Sequence, residues 1–276
     1  MMTLTTDEVG ATVGATVTGV DCERLLSDDD LPRWCIDALE ANGVLVFRGL
    51  HIDDATQVAF SKKLGHVESF PRCDPPEIFR VTLDPSKNPS AAYLRGTFDW
   101  HIDGCTEDVP IMATVLSAHA VAVEGGETEF ASSYVAYENL SGKEKKRVDS
   151  VRVVHSFEAA QRLINGDPTP EELALWRTRP SKEHPLVWKH QSGRRSLVLG
   201  ATTSHIVGMD LEAGRSLLSD LLEKSTVPER VYRHEWQVGD MVIWDNRGVL
   251  HRALPYDTAS PRDMHRCTLA GNEAIR

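Results

Sequence analysis

The sequence lacks the features that mark membrane, secreted and nucleic-acid-binding proteins. No apolar run in the 276 residues approaches the roughly 18 residues of a membrane span. The N-terminus, Met1–Glu8, has neither the basic nor the apolar region of a signal peptide. Basic residues are outnumbered, with 30 Lys and Arg against 41 Asp and Glu, and a nucleic-acid surface needs clustered cations. We therefore predict a cytoplasmic protein that binds neither membranes nor nucleic acids.

Cysteine is scarce and unpatterned. The five cysteines are odd in number, widely scattered and include no C-x-x-C pair. This distribution favours free thiols in a reducing compartment over a disulfide framework or a zinc–cysteine cluster. The hydrophobic share of 41% and the charged share of 26% are ordinary for a folded globular chain. Because no repeat, low-complexity tract or linker divides the sequence, we predict one domain over residues 1–276.

The larger, C-terminal part of the sequence is dominated by short strand patterns. Apolar and β-branched runs predict strands at 111–120, 128–131, 151–157, 184–191, 196–199, 232–237, 241–244 and 267–270. Helical spacing predicts helices at 134–148 and 211–224. Many short strands with few helices are typical of a barrel or sandwich. The predicted fold class is therefore mainly β with flanking helices.

The N-terminal part carries clear start and stop signals. Alternating β-branched residues predict an opening hairpin at 9–20. The cap-rich Ser27–Asp30 starts a helix that Asn42-Gly43 ends, and Val44–Phe47 then predicts a buried strand. A second helix is predicted at Asp53–Leu64 and ends at Gly65.

Two long segments have few regular patterns. Residues 66–99 are rich in Pro, Asp and Ser, and residues 158–183 are polar and contain prolines. Long loops without structure of their own are usually functional or disordered. We predict that both segments are lids over a binding site.

The segment Trp100-His101-Ile102-Asp103 is the first candidate for a metal site. On an extended strand the side chains alternate, so His101 and Asp103 project to the same side. An imidazole and a carboxylate are two of the three ligands in the 2-His-1-carboxylate site of non-haem iron oxygenases. H-x-D alone occurs by chance, so the prediction requires a third ligand.

The third ligand must come from the other ten of the eleven histidines. His251 is the best candidate because it follows a tight turn, Asp245–Gly248, on a strand backed by apolar residues. His119 and His155 lie in apolar strands and are predicted to be hydrogen-bonded core residues. A surface position is predicted for those in polar contexts, His51, His66, His184, His190, His205, His234 and His265.

Arg262 and Arg266 lie on a strand-like segment that follows His251. Alternation places both guanidinium groups on one face, with backbones roughly 13 Å apart. A guanidinium stays charged and binds a carboxylate through two hydrogen bonds, which suits it to one end of a diacid. Thr128 offers a hydroxyl for the same carboxylate. The alternative is that both arginines are surface charges at a sheet edge.

Taken in order, these residues resemble a known family. The shared motifs are His101-x-Asp103, Gly125-Gly126-Glu127-Thr128, Trp244-Asp245-Asn246-Arg247, His251 and Arg262. In the order and spacing of these motifs, the sequence is similar to the TauD/TfdA family of Fe(II)/2-oxoglutarate-dependent dioxygenases. This family includes enzymes of the taurine dioxygenase and 2,4-dichlorophenoxyacetate dioxygenase type. The resemblance covers nearly the whole chain. From Gly193 onward it is closest to the phenoxyacetate-type enzymes.

The resemblance implies a double-stranded β-helix (jelly-roll) core and a homo-oligomer. It implies that His101, Asp103 and His251 bind Fe(II), and that Thr128 and Arg262 bind the distal carboxylate of 2-oxoglutarate. It also implies hydroxylation of a C–H bond by O2, with succinate and CO2 as co-products. An aspartate at position 103 argues against halogenation, because halogenases of this type have a small residue there.

The resemblance also implies a small anionic substrate. Arg266 matches the arginine that faces the anionic group of the substrate in taurine-type enzymes. Phe70 stands where the taurine enzyme has a sulfonate-binding histidine, and Thr97 stands where it has an asparagine. Together with Phe98, these departures from the taurine pattern favour an aryloxyacetate-like or acyl carboxylate over a small sulfonate such as taurine.

Two other functions use the same residues. A zinc hydrolase could bind its metal through His101, Asp103 and His251, but it has no use for a diacid-binding Arg262 and Thr128. A non-catalytic jelly-roll binding protein needs none of the three metal ligands. Succinate formation from 2-oxoglutarate that depends on Fe(II) and O2 distinguishes the oxygenase from both.

Overall fold

The structure is a computed structural model that describes residues 3–276. Met1 and Met2, part of the segment inspected for an export signal, lie outside the described residues. The strands are β1 (Thr5–Glu8), β2 (Ala15–Thr18), β3 (Val44–Phe47), β4 (Phe79–Val81), β5 (Ala113–Ala120), β6 (Thr128–Ser132), β7 (Arg152–Ser156), β8 (Ser181–Pro185), β9 (Val187–Lys189), β10 (Arg195–Leu197), β11 (Thr203–Ile206), β12 (Val231–His234), β13 (Met241–Asp245), β14 (Val249–Ala253) and β15 (Asp263–Leu269). The helices are α1 (Cys22–Ser27), α2 (Leu31–Asn42), α3 (Asp54–Leu64), α4 (Ser133–Glu138), α5 (Gly142–Val148), α6 (Phe157–Asn165), α7 (Pro170–Trp176) and α8 (Leu211–Ser225), with 3-10 turns at Ala91–Phe98 and Pro228–Arg230.

Two mostly antiparallel sheets face each other and enclose an apolar cluster. The larger has the order β1-β2-β3-β13-β5-β15-β4, and the smaller has the order β12-β6-β14. Leu116, Val242 and Met264 of the larger sheet pack with Phe130 and Val249 of the smaller one. This arrangement is the predicted double-stranded β-helix, mainly β with flanking helices.

Strand alternation explains how the larger sheet is covered on both faces. In β13, Val242 and Trp244 point into the space between the sheets, whereas Met241 and Ile243 point towards the helices. Phe60 of α3 and the apolar side of α2 pack on that outer face. The helices therefore leave the inner face free for a site between the two sheets.

The N-terminal predictions are confirmed in their main features. α2 ends at Gly43, whose φ of 72° suits glycine, and β3 is buried throughout. The carboxylate of Asp53 accepts the hydrogen bond that caps α3. The hairpin begins earlier than predicted, because β1 is an edge strand of exposed polar residues without an apolar alternation. The single helix predicted at 134–148 is two helices, and Ser141 caps the second.

The two predicted lid segments contain more structure than expected. Residues 66–99 include β4 and a 3-10 turn, and residues 158–183 include most of α6 and all of α7. The first segment reaches the start of the second, where the ring of Tyr93 lies 5.5 Å from that of Phe157, the first residue of α6. That they move as lids, and that the chain forms one domain, stay predictions. Within residues 3–276, no helix has the length and apolar character needed to cross a bilayer.

Surface positions were predicted for seven histidines, and four of those predictions are wrong. His184, His190, His234 and His265 are buried. In β8 and β12 the polar neighbours in sequence face solvent while the histidine faces inward, which local polarity cannot reveal. The buried position predicted for His155 is confirmed, and its Nδ1 lies 2.9 Å from the Thr202 hydroxyl.

Burial keeps several of these imidazoles neutral. It lowers the pKa of His155 to about 3, with a smaller effect from His184. It also lowers the pKa of His190 to about 4. We expect the free energy of unfolding to decrease as the pH falls below about 6.5, because only the unfolded chain then binds protons at these sites. At about pH 5 each contributes a loss of about 2 kcal/mol, which urea unfolding at pH 7.5 and 5 measures.

The matched variant is His155→Asn, which keeps a polar partner for Thr202 but removes the titrating group. This variant should lose less stability than the wild type between the two pH values, by about 2 kcal/mol. Equal losses in the two proteins would contradict a neutral, buried His155.

Candidate active site

Two histidines that are far apart in sequence meet at the mouth between the sheets. His101 and His251 form an antiparallel bridge in which each backbone N–H donates to the carbonyl of the other at 3.0 Å. Such directly opposed residues carry their side chains on the same face. Their rings lie 4.2 Å apart at an angle of 49°. The bridge is isolated, so the extended strand predicted around residue 101 is reduced to this single pair of residues.

Asp103 completes the group at the start of a tight turn. Its Oδ1 lies 3.6 Å from His101 Nε2, and its Oδ2 lies 3.8 Å from His251 Nε2. Both distances are shorter than the roughly 4.2 Å between two ligands on opposite sides of one ion with bonds of about 2.1 Å. The predicted convergence of His101, Asp103 and His251 is therefore present in the fold.

The protonation of this group suits a cation. His101 Nδ1 lies 2.8 Å from the carbonyl of Asp99, which assigns the proton to Nδ1 and leaves the Nε2 lone pair free. Burial, and then His101, lowers the pKa of His251 to about 3. Burial acts to raise the pKa of Asp103, but Arg266 and the two histidines outweigh it and leave this pKa lowered. Two neutral imidazoles and one carboxylate are the donors that a divalent iron takes.

A second group of the same composition lies on the outer face of the larger sheet. Asp54, His119 and His265 also place their ligand atoms close together within residues 3–276. The two rings, however, are 3.7 Å apart at only 19°, so they are stacked face to face. His265 Nδ1 instead bonds to Asp54 Oδ1 at 2.5 Å. In the group around His101, by contrast, neither imidazole is hydrogen-bonded to the carboxylate, so both Nε2 atoms stay available to a cation.

Arg262 lies deep in the same cavity as the His101 group. Arg262 is only 2% exposed. Its Nε donates to the Gly126 carbonyl at 3.3 Å, and the guanidinium lies 4.9 Å from the centre of the Tyr256 ring. Among the described residues no carboxylate lies within ion-pair distance, and Nη1 has no hydrogen-bond partner. A buried, unpaired cation is costly, and Thr128 lines the same cavity. This arrangement fits the distal carboxylate of a bound 2-oxoglutarate.

The other predicted residues lie in different places. Arg266 lines the cavity with its Nη1 3.4 Å from Asp103 Oδ2. Phe70 packs against Phe79 at 5.6 Å, beside Arg266 in a shallower depression. Thr97 lines the cavity and donates to the carbonyl of Leu94. Phe98 instead packs on Tyr256 at 6.0 Å, at the Arg262 end.

Several residues in and around the cavity were not identified from the sequence. Trp236 donates to Thr128 Oγ1, and Tyr256 covers Arg262. The residues that line the cavity itself and were missed are Val81, Leu116 and Ala253. Leu116 had a usable signal, since it is an inward position of a predicted strand. The position of Tyr256 depends on a loop that pairs with Gly125, and no local pattern indicates this pairing.

Comparison with known proteins decides the family. The family described as "Taurine catabolism dioxygenase TauD, TfdA family" matches residues 5–268.

The chain belongs to the TauD/TfdA family.

A TauD/TfdA relative from Burkholderia sp. (strain RASC), an alpha-ketoglutarate-dependent 2,4-dichlorophenoxyacetate dioxygenase, is 35% identical over 84% of this chain and 83% of its own. An (S)-phenoxypropionate/alpha-ketoglutarate-dioxygenase from Sphingobium herbicidovorans is 32% identical over 96% of this chain and 94% of its own. The crystal structure of AAD-2 with Mn(II) and N-oxalylglycine is 32% identical, with a TM-score of 0.85 and full coverage of both chains.

This TauD/TfdA protein is a 2-oxoglutarate-dependent dioxygenase, and its cofactor and co-substrates are Fe(II), 2-oxoglutarate and O2. These findings favour the dioxygenase over the zinc hydrolase and the non-catalytic binding protein that the sequence left open. The homo-oligomer stays a prediction.

Proposed function

We propose that the enzyme hydroxylates a C–H bond of a small anionic substrate with an apolar body, and that aryloxyacetate-like carboxylates fit best. The supporting observation is a pair of arginines that line one cavity with different surroundings. Arg262 is fully enclosed at one end, whereas Arg266 lies beside the metal-ligand group and the Phe70–Phe79 pair. We infer from this difference that the two arginines bind different anions, Arg262 the co-substrate and Arg266 the substrate.

In this proposal His101, Asp103 and His251 bind the iron, and Thr128 and Arg262 bind the distal carboxylate of 2-oxoglutarate. When bound, Fe(II) and 2-oxoglutarate supply the oxidising chemistry, which yields succinate and CO2. The protein fixes the positions of the reactants and keeps water from them. Trp244 contributes by packing its ring 4.9 Å from that of His251, which restricts the imidazole to one orientation.

Arg266 is proposed to bind the anionic group of the substrate. Its guanidinium lies 4.9 Å from the centre of the Phe79 ring, close enough for a cation–π contact, and its Nε has no hydrogen-bond partner among residues 3–276. Phe70, packed against Phe79, offers an apolar surface beside the charge. A carboxylate attached to an aromatic or acyl body satisfies both features. Thr97, which lines the cavity, and Phe98, which packs on Tyr256 near Arg262, are proposed to shape the rest of the space around the substrate.

An aryloxyacetate offers an activated position next to its carboxylate. Hydroxylation of the carbon between the ether oxygen and the carboxylate gives a hemiacetal, which breaks into a phenol and glyoxylate. One O2 is consumed in each cycle, with one oxygen atom in the hydroxyl group and one in succinate. Release of a phenol is therefore the expected signature of this substrate class. The similarity to phenoxyalkanoate dioxygenases supports the same expectation.

A substrate panel tests the proposal. Aryloxyacetates, acyl carboxylates, sulfonates and sulfate esters are each added to the Fe(II)-loaded enzyme, and succinate formation is compared with the substrate-free rate. We expect aryloxyacetates to give the largest stimulation, with phenol and succinate released in equal amounts. A larger stimulation by taurine, or succinate without phenol, would assign a different substrate class.

The substitution Arg266→Gln is expected to raise the KM for the anionic substrate by about tenfold to a hundredfold, because a charged hydrogen-bond pair is lost. The KM for 2-oxoglutarate should change less, since Arg262 is retained. Arg266→Lys is the matched control, because it keeps the charge beside Asp103 but loses the planar fork. Initial rates with both co-substrates varied give the two KM values. Equal increases in both would indicate that Arg266 only supports the structure around Asp103.

A further inference from the structure

Thr128 has a hydrogen-bond partner that determines which way its hydroxyl points. Trp236 Nε1 lies 2.9 Å from Thr128 Oγ1. An indole N–H is only a donor, so the threonine oxygen must accept this bond. A hydroxyl has one hydrogen to donate, and here that hydrogen remains available. Thr128 is 5% exposed and lines the cavity that contains Arg262.

The fold places Trp236 for this contact. β12 pairs with β6 so that His234 lies opposite Thr128, and Trp236 follows two residues later. The indole packs edge-on against the His234 ring at 4.4 Å and 85°. His234 is itself fixed by Tyr232 at 2.9 Å and by Asp240 at 3.3 Å. The indole therefore has a packed, hydrogen-bonded base that holds its N–H towards Thr128.

We propose that Trp236 is a positioning residue for 2-oxoglutarate, which makes the Thr128 hydroxyl a donor towards the distal carboxylate. This inference rests on the proposed role of Thr128. Without the indole N–H, the hydroxyl can rotate and offer its lone pairs to the cavity, where they would repel an anion. The effect of Trp236 should therefore pass entirely through the Thr128 hydroxyl.

A double-mutant cycle tests this coupling. The dissociation constant for 2-oxoglutarate is measured by calorimetry on the Fe(II)-loaded protein without O2, and KM and kcat are measured separately. Thr128→Val should weaken binding about tenfold, because a hydrogen bond to a charged group is lost. Trp236→Phe should weaken it about fivefold, with a smaller change in kcat. In the Thr128→Val background, Trp236→Phe should have no further effect.

Three controls separate positioning from packing. In the Thr128→Ser background the hydroxyl is kept, so Trp236→Phe should again weaken binding about fivefold. Trp34→Phe changes a tryptophan of α2 on the outer face of the sheet and should leave the dissociation constant unaltered. Trp236→Leu also lacks the indole N–H and brings no other donor, and it replaces Trp236→Phe if that variant unfolds.

The outcomes distinguish the two proposals. If Thr128→Val binds 2-oxoglutarate as tightly as the wild type, the proposed role of Thr128 is wrong and the role of Trp236 is wrong with it. If Thr128→Val weakens binding but Trp236→Phe does not, only the role of Trp236 is overturned. An undiminished effect of Trp236→Phe in the Thr128→Val background would show that the indole acts by packing.

Discussion

The substitution Asp103→Ala is expected to abolish Fe(II) binding and 2-oxoglutarate turnover. Removal of a residue that only supports a metal ligand lowers metal affinity or activity by about 10- to 100-fold. Removal of a ligand itself should therefore lower them by more than about 100-fold. The carboxylate is the one anionic donor of the group, at 3.6 Å from His101 Nε2 and 3.8 Å from His251 Nε2. Without it, two neutral imidazoles face the cation with Arg266 nearby, and that guanidinium then repels the metal.

The second His-His-Asp group supplies the control. Asp54→Ala removes the carboxylate from a set of the same residue types on the outer face of the sheet. Because the His119 and His265 rings are stacked at 19°, we expect this variant to bind Fe(II) as the wild type does. Iron content per chain after anaerobic loading, measured together with succinate formation, compares the two variants. Loss of iron in Asp54→Ala but not in Asp103→Ala would place the metal at the second group, on the outer face of the sheet, and would contradict the proposed site.

The metal ligands could be predicted because their signals are short-range. His101 and Asp103 are two residues apart, so their relative placement follows from backbone alternation alone. His251 was identified from a turn and the apolar strand after it. Their meeting is a property of the fold: the backbone bridge between residues 101 and 251 joins segments 150 positions apart. The family resemblance supplied this long-range pairing, which local patterns do not contain.

Helices α6 and α7 show where local interpretation failed. Each has fewer than ten residues, and helices this short depend on tertiary contacts for their stability. Thr169 and Glu172 form a reciprocal capping box that starts α7, a signal present in the sequence. The prediction gave more weight to the polar, proline-containing composition of the segment than to this helix-start signal. Proline at position 170 in fact begins the helix, where its missing N–H costs nothing.

The partners of the co-substrate residues depend on register. Trp236 reaches Thr128 only because β12 pairs with β6 in one alignment, and a shift by one residue would turn it to the other face. Both strands were predicted, but their pairing was not. Individual inward-facing residues can therefore be identified from sequence, whereas contacts between two of them require the fold.

Replacing Arg262 by methionine is expected to have opposite effects on stability and on co-substrate binding. Arg262 is 2% exposed, and its guanidinium has no ion-pair partner within residues 3–276. Burial lowers the pKa of Arg262, which shows that the environment disfavours the charge. Methionine keeps much of the volume without that charge, so the ligand-free variant should unfold at a higher temperature than the wild type.

The same variant should bind 2-oxoglutarate at least about 100-fold more weakly, because charged hydrogen bonds to the distal carboxylate are lost. In the wild type, 2-oxoglutarate at about 100 times its dissociation constant stabilises the fold by about 2.7 kcal/mol. The variant should show no such shift. Thermal unfolding of the Mn(II)-loaded proteins with and without 2-oxoglutarate measures both effects in one experiment.

Arg252→Met is the matched control for Arg262→Met. Arg252 pairs with the buried Glu129 at 2.7 Å and lies 4.7 Å from the centre of the Trp100 ring. Removal of this paired cation should lower the unfolding temperature, while the stabilisation by 2-oxoglutarate persists. Both substitutions replace an arginine by a methionine, but they should change the unfolding temperature of the ligand-free protein in opposite directions. If Arg262→Met also destabilises that protein and still responds to 2-oxoglutarate, Arg262 is a structural residue and the co-substrate carboxylate binds elsewhere.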